Sequence, residues 1–463
     1  MRMSRHWRSS VRWVVVVCVA ALLLGTMAAS AAERQVTVKV PTVTGKPVPV
    51  SLVMNDVREA IGTDFPTRWE TLRVLDSAGR ELPYQIDDID LSGTISRYDQ
   101  LAFLATGDVR IVVSDQPGQA PSYPAAFRFS PGPDDSVLVE SVDGQLAATV
   151  TRYGTVDITR FAGRDGRYVK DIGMLRYAGF PYSTYWVDQN LDRHEEKTTF
   201  EEPLRVVRRE VLPTAVVRAT MVATLASDLF PGLTQQVVVS LYKNGEVRLE
   251  NMVTSRGYAD LTKLEFMVNA VMGDAPDARH VLPVFRWLDW ADEMGITVEE
   301  YWRQRDALVE VDGRPYIAFR DIRGPQPLWW GASYIFASPE RWRTNYSESL
   351  GIGVAEMLVA PPEVPEDFVE RLKSEQWQLE GEWRTGYFRW MPAEMVSIRD
   401  NHGIPYPEDL NLDMADGDWP LHMIPGDQYG HQFYYVPYTA PTLAEAVKYL
   451  EARYGELTGV RLP

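Results

Sequence analysis

The segment from Asp88 to Asp99 places oxygen-bearing side chains at the spacing that a calcium ion uses. With Asp88 as position one, Asp90 falls at three, Ser92 at five, Gly93 at six, Thr94 at seven and Asp99 at twelve. Calcium takes about 6–8 oxygen ligands. The loop offers three carboxylates, a hydroxyl and the Thr94 carbonyl, and Gly93 permits a sharp turn. Asp99 stands where such loops usually carry the longer glutamate, and the flanks read as strands, so this is no helix-loop-helix. The alternative is a polar β-turn whose aspartates bond their own backbone amides. An ion here would be a structural cofactor, and no pattern in the chain calls for an organic one.

A second set of groups suits acid–base work. Three of the five histidines beyond residue 32, His402, His422 and His431, crowd into "RDNHGIPYPEDLNLDMADGDWPLHMIPGDQYGHQFYYVPYTAP" together with Tyr406, Asp427 and Tyr429. Long irregular segments in compact domains are often functional loops, and His and Tyr at such a place suit a general acid and base. The spacing of His422 and His431 matches no zinc signature. The other reading is of ordinary loop histidines bonded to backbone.

Aromatic residues form the third set. "VFRWLDWADEM", "PLWWGASYIF" and "EWRTGYFRWM" gather rings near arginines, with Trp329, Trp330, Trp383, Arg384 and Arg389 as the candidate binding residues. Tryptophan packs on the apolar faces of sugar rings, and arginine takes a carboxylate in bidentate fashion. Large β-sandwiches also bury many aromatics, which accounts equally for most of these rings. The charged run "WVDQNLDRHEEKTTFEE" reads as a solvated loop. No glycine-rich phosphate loop, nucleophile elbow or HExxH pattern occurs. A paired-carboxylate glycosidase stays open, because its carboxylates are defined by distance in space.

The elements that must position these groups are mostly strands. "QVTVKV" and "VPVSLVM" alternate apolar with polar residues, and "LRVLDSAGRELPYQI" reads as two strands around the turn Asp76–Gly79. A Pro/Gly cluster over residues 115–136 marks a boundary. Beyond it, "RVVRREVLPTAVVRATMVATL" alternates again, and "TQQVVVSLYKNGEVRLENMV" predicts a hairpin turning at Asn244-Gly245. Helices are predicted in "TVEEYWRQRDALVE", "PEDFVERLKSEQW" and "TLAEAVKYLEARYG", the last capped by Thr442 with Glu445 and ending before Gly455. The predicted fold class is therefore mainly β: a small N-terminal β-barrel-like domain over 33–120, then a large antiparallel β-supersandwich over 121–463 with a few peripheral helices.

Residues 1–32 read as a signal peptide, with Arg2, Arg5, Arg8 and Arg12 before an apolar run from Trp13 to Leu24 and small residues near Ala32. This predicts a secreted or periplasmic protein. Cys18, the single cysteine, lies in that leader, so no disulfide is expected in the mature chain. Without the leader, 43 basic side chains face 64 acidic ones, a net charge of −21. Such a surface disfavours nucleic acid and anionic membranes as partners and requires local arginines for any acidic glycan.

Taken together, the "LPYQIDDIDLSGTISRYDQLAFL" hairpin, "TTFEEPLRVVRREVLPTAVVRATMV" and "VVVSLYKNGEVRLENMV" resemble the secreted exo-rhamnogalacturonan lyase-like proteins over roughly residues 36–270. In that group a RIFT-barrel-like domain precedes a galactose-mutarotase-type supersandwich. Many members add an α/α-toroid, for which this chain has no room. The resemblance implies a carbohydrate-active protein with a polysaccharide or oligosaccharide as partner. Its favoured activity is that of a polysaccharide lyase cleaving a uronic-acid glycan by β-elimination. The alternatives are a non-catalytic glycan-binding or cell-surface β protein, and a mutarotase-like epimerase drawing on His194 and His280.

Overall fold

The computed structural model describes residues 32–174, 183–187, 193–197, 205–226, 232–257, 259–261, 264–271, 275, 277–283, 300, 303, 306–319, 342–359, 396–398, 410–415, 421–426 and 428–463. Six strands build the N-terminal unit: β1 (Glu33–Val38), β2 (Val48–Val53), β3 (Arg68–Leu75), β4 (Tyr84–Asp87), β5 (Gln100–Ala105) and β6 (Val109–Ser114). They form two three-stranded antiparallel sheets, in the orders β1-β6-β3 and β2-β5-β4. Period-2 patterning explains the faces: in β6, Val109, Ile111 and Val113 are buried while Arg110, Val112 and Ser114 are not.

As expected, "LRVLDSAGRELPYQI" forms two strands around the turn Asp76–Gly79, where the Gly79 N–H donates to the Asp76 carbonyl at 2.9 Å. Beyond a bridge between Leu75 and Glu81 the arms part, β3 pairing with β6 and β4 with β5. One expectation for this unit needs correction. Met54, read as the end of a strand, instead opens helix α1 (Met54–Ile61), which buries Met54, Val57 and Ile61 at helical spacing. Eight residues without a side-chain cap are a weak local signal, and packing of those three side chains decides the outcome.

The chain continues through β7 (Phe127–Pro131), β8 (Val137–Ser141), β9 (Ala147–Val150), β10 (Val156–Phe161) and β11 (Arg164–Met174). Next come β12 (Ser183–Val187), β13 (Arg193–Lys197), β14 (Arg205–Val211), β15 (Arg218–Ala226), β16 (Leu233–Tyr242) and β17 (Val247–Ser255). Then follow β18 (Ala259–Leu261), β19 (Leu264–Val271), β20 (Arg279–Pro283), β21 (Leu308–Val311), β22 (Arg314–Phe319) and β23 (Trp342–Ser347). The last strands are β24 (Ile352–Val359), β25 (Val396–Ile398), β26 (Leu410–Ala415), β27 (Leu421–Met423) and β28 (Gln428–Thr439), followed by helix α2 (Leu443–Thr458). Among the described residues, a ten-stranded sheet runs β14-β15-β16-β17-β28-β24-β23-β20-β22-β21 and an eight-stranded one runs β25-β26-β19-β11-β10-β9-β8-β7. The protein is thus mainly β and built of stacked antiparallel sheets.

The predicted hairpin is β16–β17, with Gly245 at φ +91° in its turn. The charged run around His194 is a two-stranded ribbon, β12 with β13, and not the loop expected of it. In α2, Thr442 caps the Glu445 N–H as predicted, but the helix runs through Gly455 to Thr458. The helix predicted in "PEDFVERLKSEQW" lies outside the described residues.

The two faces of the ten-stranded sheet have different neighbours. Its outer face shares one apolar core with the N-terminal unit and α2: Tyr242, Val281, Tyr346, Met357, Val436 and Tyr438 pack with Val50, Leu101 and Phe103 on one side and Val447 and Leu450 on the other. Its inner face meets the eight-stranded sheet. Gly154 sits against Val237 and Val239, Phe161 sits against Gly245, and β11 lies beside β24 and β28.

Charged groups pin both ends of the outer face. Arg218 and Asp87 are fully buried, with the Arg218 Nε donating to Asp87 Oδ2 at 2.7 Å. Arg218 also donates to the Tyr242 hydroxyl at 2.9 Å and to Gln100 Oε1 at 2.9 Å, and Thr220 donates to Asp87 at 2.8 Å. The Gln85 side-chain oxygen Oε1 accepts from the backbone N–H groups of Val216, Val217 and Arg218 at 2.9, 2.9 and 3.2 Å. At the other end Arg453 of α2 grips Glu246 at 2.8 and 2.7 Å and Glu456 at 2.6 Å.

Glu456 in turn accepts from the Val43 and Thr44 N–H groups, tying α2 to the loop before β2. Burial would raise its pKa, but the Thr44 N–H, Arg453 and the Val43 N–H outweigh burial and hold it below 4.5. This stabilisation is fully present above the unfolded value of 4.5 and is lost as pH falls through the lower folded value. Glu456→Gln is expected to cost about 1–3 kcal/mol at neutral pH. Urea unfolding should show that difference narrowing below the ordinary glutamate range; a difference that does not vary with pH would contradict this role for Glu456.

Candidate functional site

The loop 88–99 joins β4 to β5 as a hairpin tip, with Asp87 opposite Gln100 at its base. Carboxylate oxygens of Asp88, Asp90 and Asp99 lie within 4.8 Å of one another, so the three could hold a metal ion. Gly93 takes φ +78°, as a sharp turn demands. Asp88 also accepts from the Ser92 and Gly93 N–H groups at 2.9 and 2.7 Å, and Ser92 Oγ donates to the Thr94 carbonyl at 2.8 Å. Burial, with Asp90 and Asp88 adding to it, pushes the Asp99 carboxyl up. Burial would raise the Asp90 carboxyl, but hydrogen bonds with Ser96, Ser92 and Asp88 together outweigh it and hold Asp90 below its ordinary range. Ile89 anchors the loop on Val222 and Val238 of the outer sheet face, with Leu91 packed against them.

The inner face of the same sheet carries a second concentration of polar groups. Strand alternation puts Arg343, Glu356 and Tyr435 side by side across β23, β24 and β28, on the face opposite to Trp342, Met357 and Tyr434. They are 7, 6 and 0 % exposed. The Arg343 Nε donates to Glu356 Oε2. Burial drives the Tyr435 phenol well above its ordinary pKa, Glu356 adds to that, and Arg343 opposes it. Among the described residues, the Tyr435 hydroxyl has no hydrogen-bond partner. The row joins an arginine–glutamate pair of no net charge to a phenol that keeps its proton, so its guanidinium can hydrogen-bond an anion and the phenol can donate a proton beside it.

The predicted residues fall as follows. Tyr429 and His431 stand in β28, at the positions opposite Val253 and Asn251 of β17. His422 stands in β27, opposite Asp260 of β18, in a separate two-stranded sheet. His280 stands in β20 opposite Asn345. His402, Tyr406, Arg384, Arg389, Trp329, Trp330 and Trp383 lie outside the described residues. Arg343, Glu356 and Tyr435 were missed by sequence reasoning. The available signal was a charged or polar residue at an inward position of an apolar strand, and it becomes visible only when the register is known.

No family model matches the chain, and no curated protein matches it. Among solved structures, it is similar to a protein in the glycosyl hydrolase family 38 from Enterococcus faecalis, with a TM-score of 0.42 and 9% identity over 93% of this chain and 47% of that one. This chain therefore spans about half the length of that protein. Galactose 1-epimerase from Lactobacillus acidophilus gives a TM-score of 0.35 and 11% identity over 69% of this chain and 100% of the other. A putative aldose 1-epimerase from Escherichia coli gives 0.29 and 10% over 64% and 97%. Similarity at this level transfers no residue role and no activity to this chain.

Proposed function

We propose that the protein is exported and acts on carbohydrate, and that within this class it is a polysaccharide lyase cleaving a uronic-acid glycan by β-elimination. The observation that carries the reading is the buried Arg343–Glu356–Tyr435 row on the inner sheet face. In β-elimination a base removes the proton α to the uronate carboxyl. A carbon–carbon double bond forms as the glycosidic carbon–oxygen bond breaks, and an acid protonates the departing oxygen. The α proton becomes acidic enough only when the carboxylate is neutralised, the role assigned to Arg343. Glu356 positions the guanidinium through its Nε. Tyr435, whose proton burial retains, suits the acid, and His431 or Tyr429 of the same strand supplies the base.

A glycan-binding protein without catalysis is the second reading, favoured by the 0–7 % exposure of the row. Incubating the protein with pectic and other uronic glycans while following ultraviolet absorbance of the unsaturated product separates the two. The lyase predicts a rising signal; retained binding with no signal on any glycan would leave the binding protein.

Calcium is the ion proposed for the 88–99 loop, where it would relieve repulsion among Asp88, Asp90 and Asp99 and staple the hairpin tip. Calcium at a hundredfold excess over its Kd should add about 2.7 kcal/mol to the folded state. Melting with calcium and with chelator tests this, and identical midpoints would dismiss the ion.

A further inference from the structure

Ala32 continues the β1–β6 ladder one position beyond its last pair, Glu33 with Ser114. Its carbonyl accepts from the Asp115 N–H at 3.1 Å, and its own nitrogen donates to Asp115 Oδ1, also at 3.1 Å. The Gln116 Nε2 donates to the same oxygen at 3.0 Å. One residue thus holds both main-chain polar groups of Ala32, one through its backbone and one through its side chain. Continuing the ladder requires only the Asp115 N–H, and aspartate is a poor strand former. Its carboxylate is an addition, set against the Ala32 nitrogen.

The sequence leaves the end of the leader in two registers. Small residues stand at the third and first positions before the cut in Ala29-Ser30-Ala31, which frees Ala32, and equally in Ser30-Ala31-Ala32, which frees Glu33. The two products differ at this contact. A cut after Ala32 discards a residue whose nitrogen and carbonyl are both engaged, and it takes one partner from the Asp115 carboxylate. A cut after Ala31 keeps both bonds and strengthens one, because a neutral amide N–H facing a carboxylate becomes an ammonium.

We propose that an export peptidase hydrolyses the Ala31–Ala32 bond and that Asp115 is the acceptor for the α-ammonium so created. Water adds across the bond. Its oxygen goes to the Ala31 carbonyl carbon, the carbon–nitrogen bond breaks, and the Ala32 nitrogen leaves as an amine. With an ordinary pKa of about 7.7–8.0, that amine is protonated at neutral pH. This inference rests on the reading of the protein as exported and is independent of the lyase. The mature chain then begins with a residue that the N-terminal sheet already holds, and a charge pair closes the start of β1.

The test expresses the full chain, leader included, in a bacterium that exports it, and reads the intact mass and the N-terminal sequence of the product. The expected sequence is Ala-Glu-Arg-Gln, with residues 1–31 lost. The ion pair is read by labelling the α-amine with an acylating reagent at neutral pH, since only the unprotonated amine reacts, and by following the N-terminal peptide. Asp115→Asn keeps an acceptor oxygen at the surface and removes only the charge, so the variant should fold. Ala32 is exposed, so the pair should raise the ammonium pKa by about half a unit, and the variant should label roughly threefold faster than wild type. Salt at about 1 M should shrink that difference by screening the pair. A product that begins at Glu33 or at any other residue overturns the proposal and leaves the export reading standing. A chain that keeps its leader removes both. Equal labelling rates in wild type and variant, at low salt, remove Asp115 as the acceptor and overturn the proposal even if the cut falls after Ala31.

Discussion

Replacing Asp87 by alanine is expected to lower the unfolding free energy by about 3–5 kcal/mol, because it strands the Arg218 guanidinium in a site with no solvent. Whole domains are stable by about 5–15 kcal/mol, so the loss is a large fraction of the total. The change also removes the acceptor of Thr220 and of Gln85 Nε2, the latter at 2.7 Å. Asp87 belongs to the N-terminal unit and Arg218 to the ten-stranded sheet, so the pair fixes the seating of one on the other. Urea unfolding should show a lower midpoint with little change in slope. Asp87→Ala/Arg218→Met, which removes both charges, should recover part of the loss. A single variant as stable as wild type would show that water reaches Arg218 and that the joint is not sealed.

Tyr435→Phe carries the second large expected effect, and its two readouts diverge. As general acid, Tyr435 should contribute about 10²–10⁴ to the rate of elimination, and the phenylalanine variant should lose that factor in kcat. Stability should stay level or rise, since the substitution deletes a fully buried hydroxyl that has no partner among the described residues. Melting and product absorbance measured on the same samples decide between roles. Loss of activity with an unmoved melting midpoint assigns the hydroxyl to chemistry. Full activity in the variant removes Tyr435 from the mechanism and leaves the acid to be found elsewhere on the inner face.

The asymmetry between these two tyrosine-bearing faces follows from alternation. Tyr434 and Tyr435 are neighbours in sequence, yet Tyr434 points its hydroxyl toward the Pro49 carbonyl in the N-terminal unit while Tyr435 stands in the row with Glu356. A shift of one residue in the β24–β28 register would exchange them. The apolar side chains of Met357 and Val436 in the outer-face core hold that register.

The β character of the chain, the β16–β17 hairpin, the capped start of α2 and the tight clustering of Asp88, Asp90 and Asp99 were all legible in the residues, because each depends on contacts between positions close in sequence. A turn needs its glycine, a cap needs its threonine, and alternation needs only the next few residues. What tertiary structure alone decided was partnership over long separations. It parted the arms of "LRVLDSAGRELPYQI" between two sheets, paired Arg218 with Asp87 across 131 positions, and brought β28 between β17 and β24. No local pattern encodes such pairings, since they are set by which apolar faces can be buried together and which buried charges can then be matched. For the same reason the His422 and His431 of one sequence segment ended in different sheets, while Arg343, Glu356 and Tyr435, far apart in sequence, came to stand in one row.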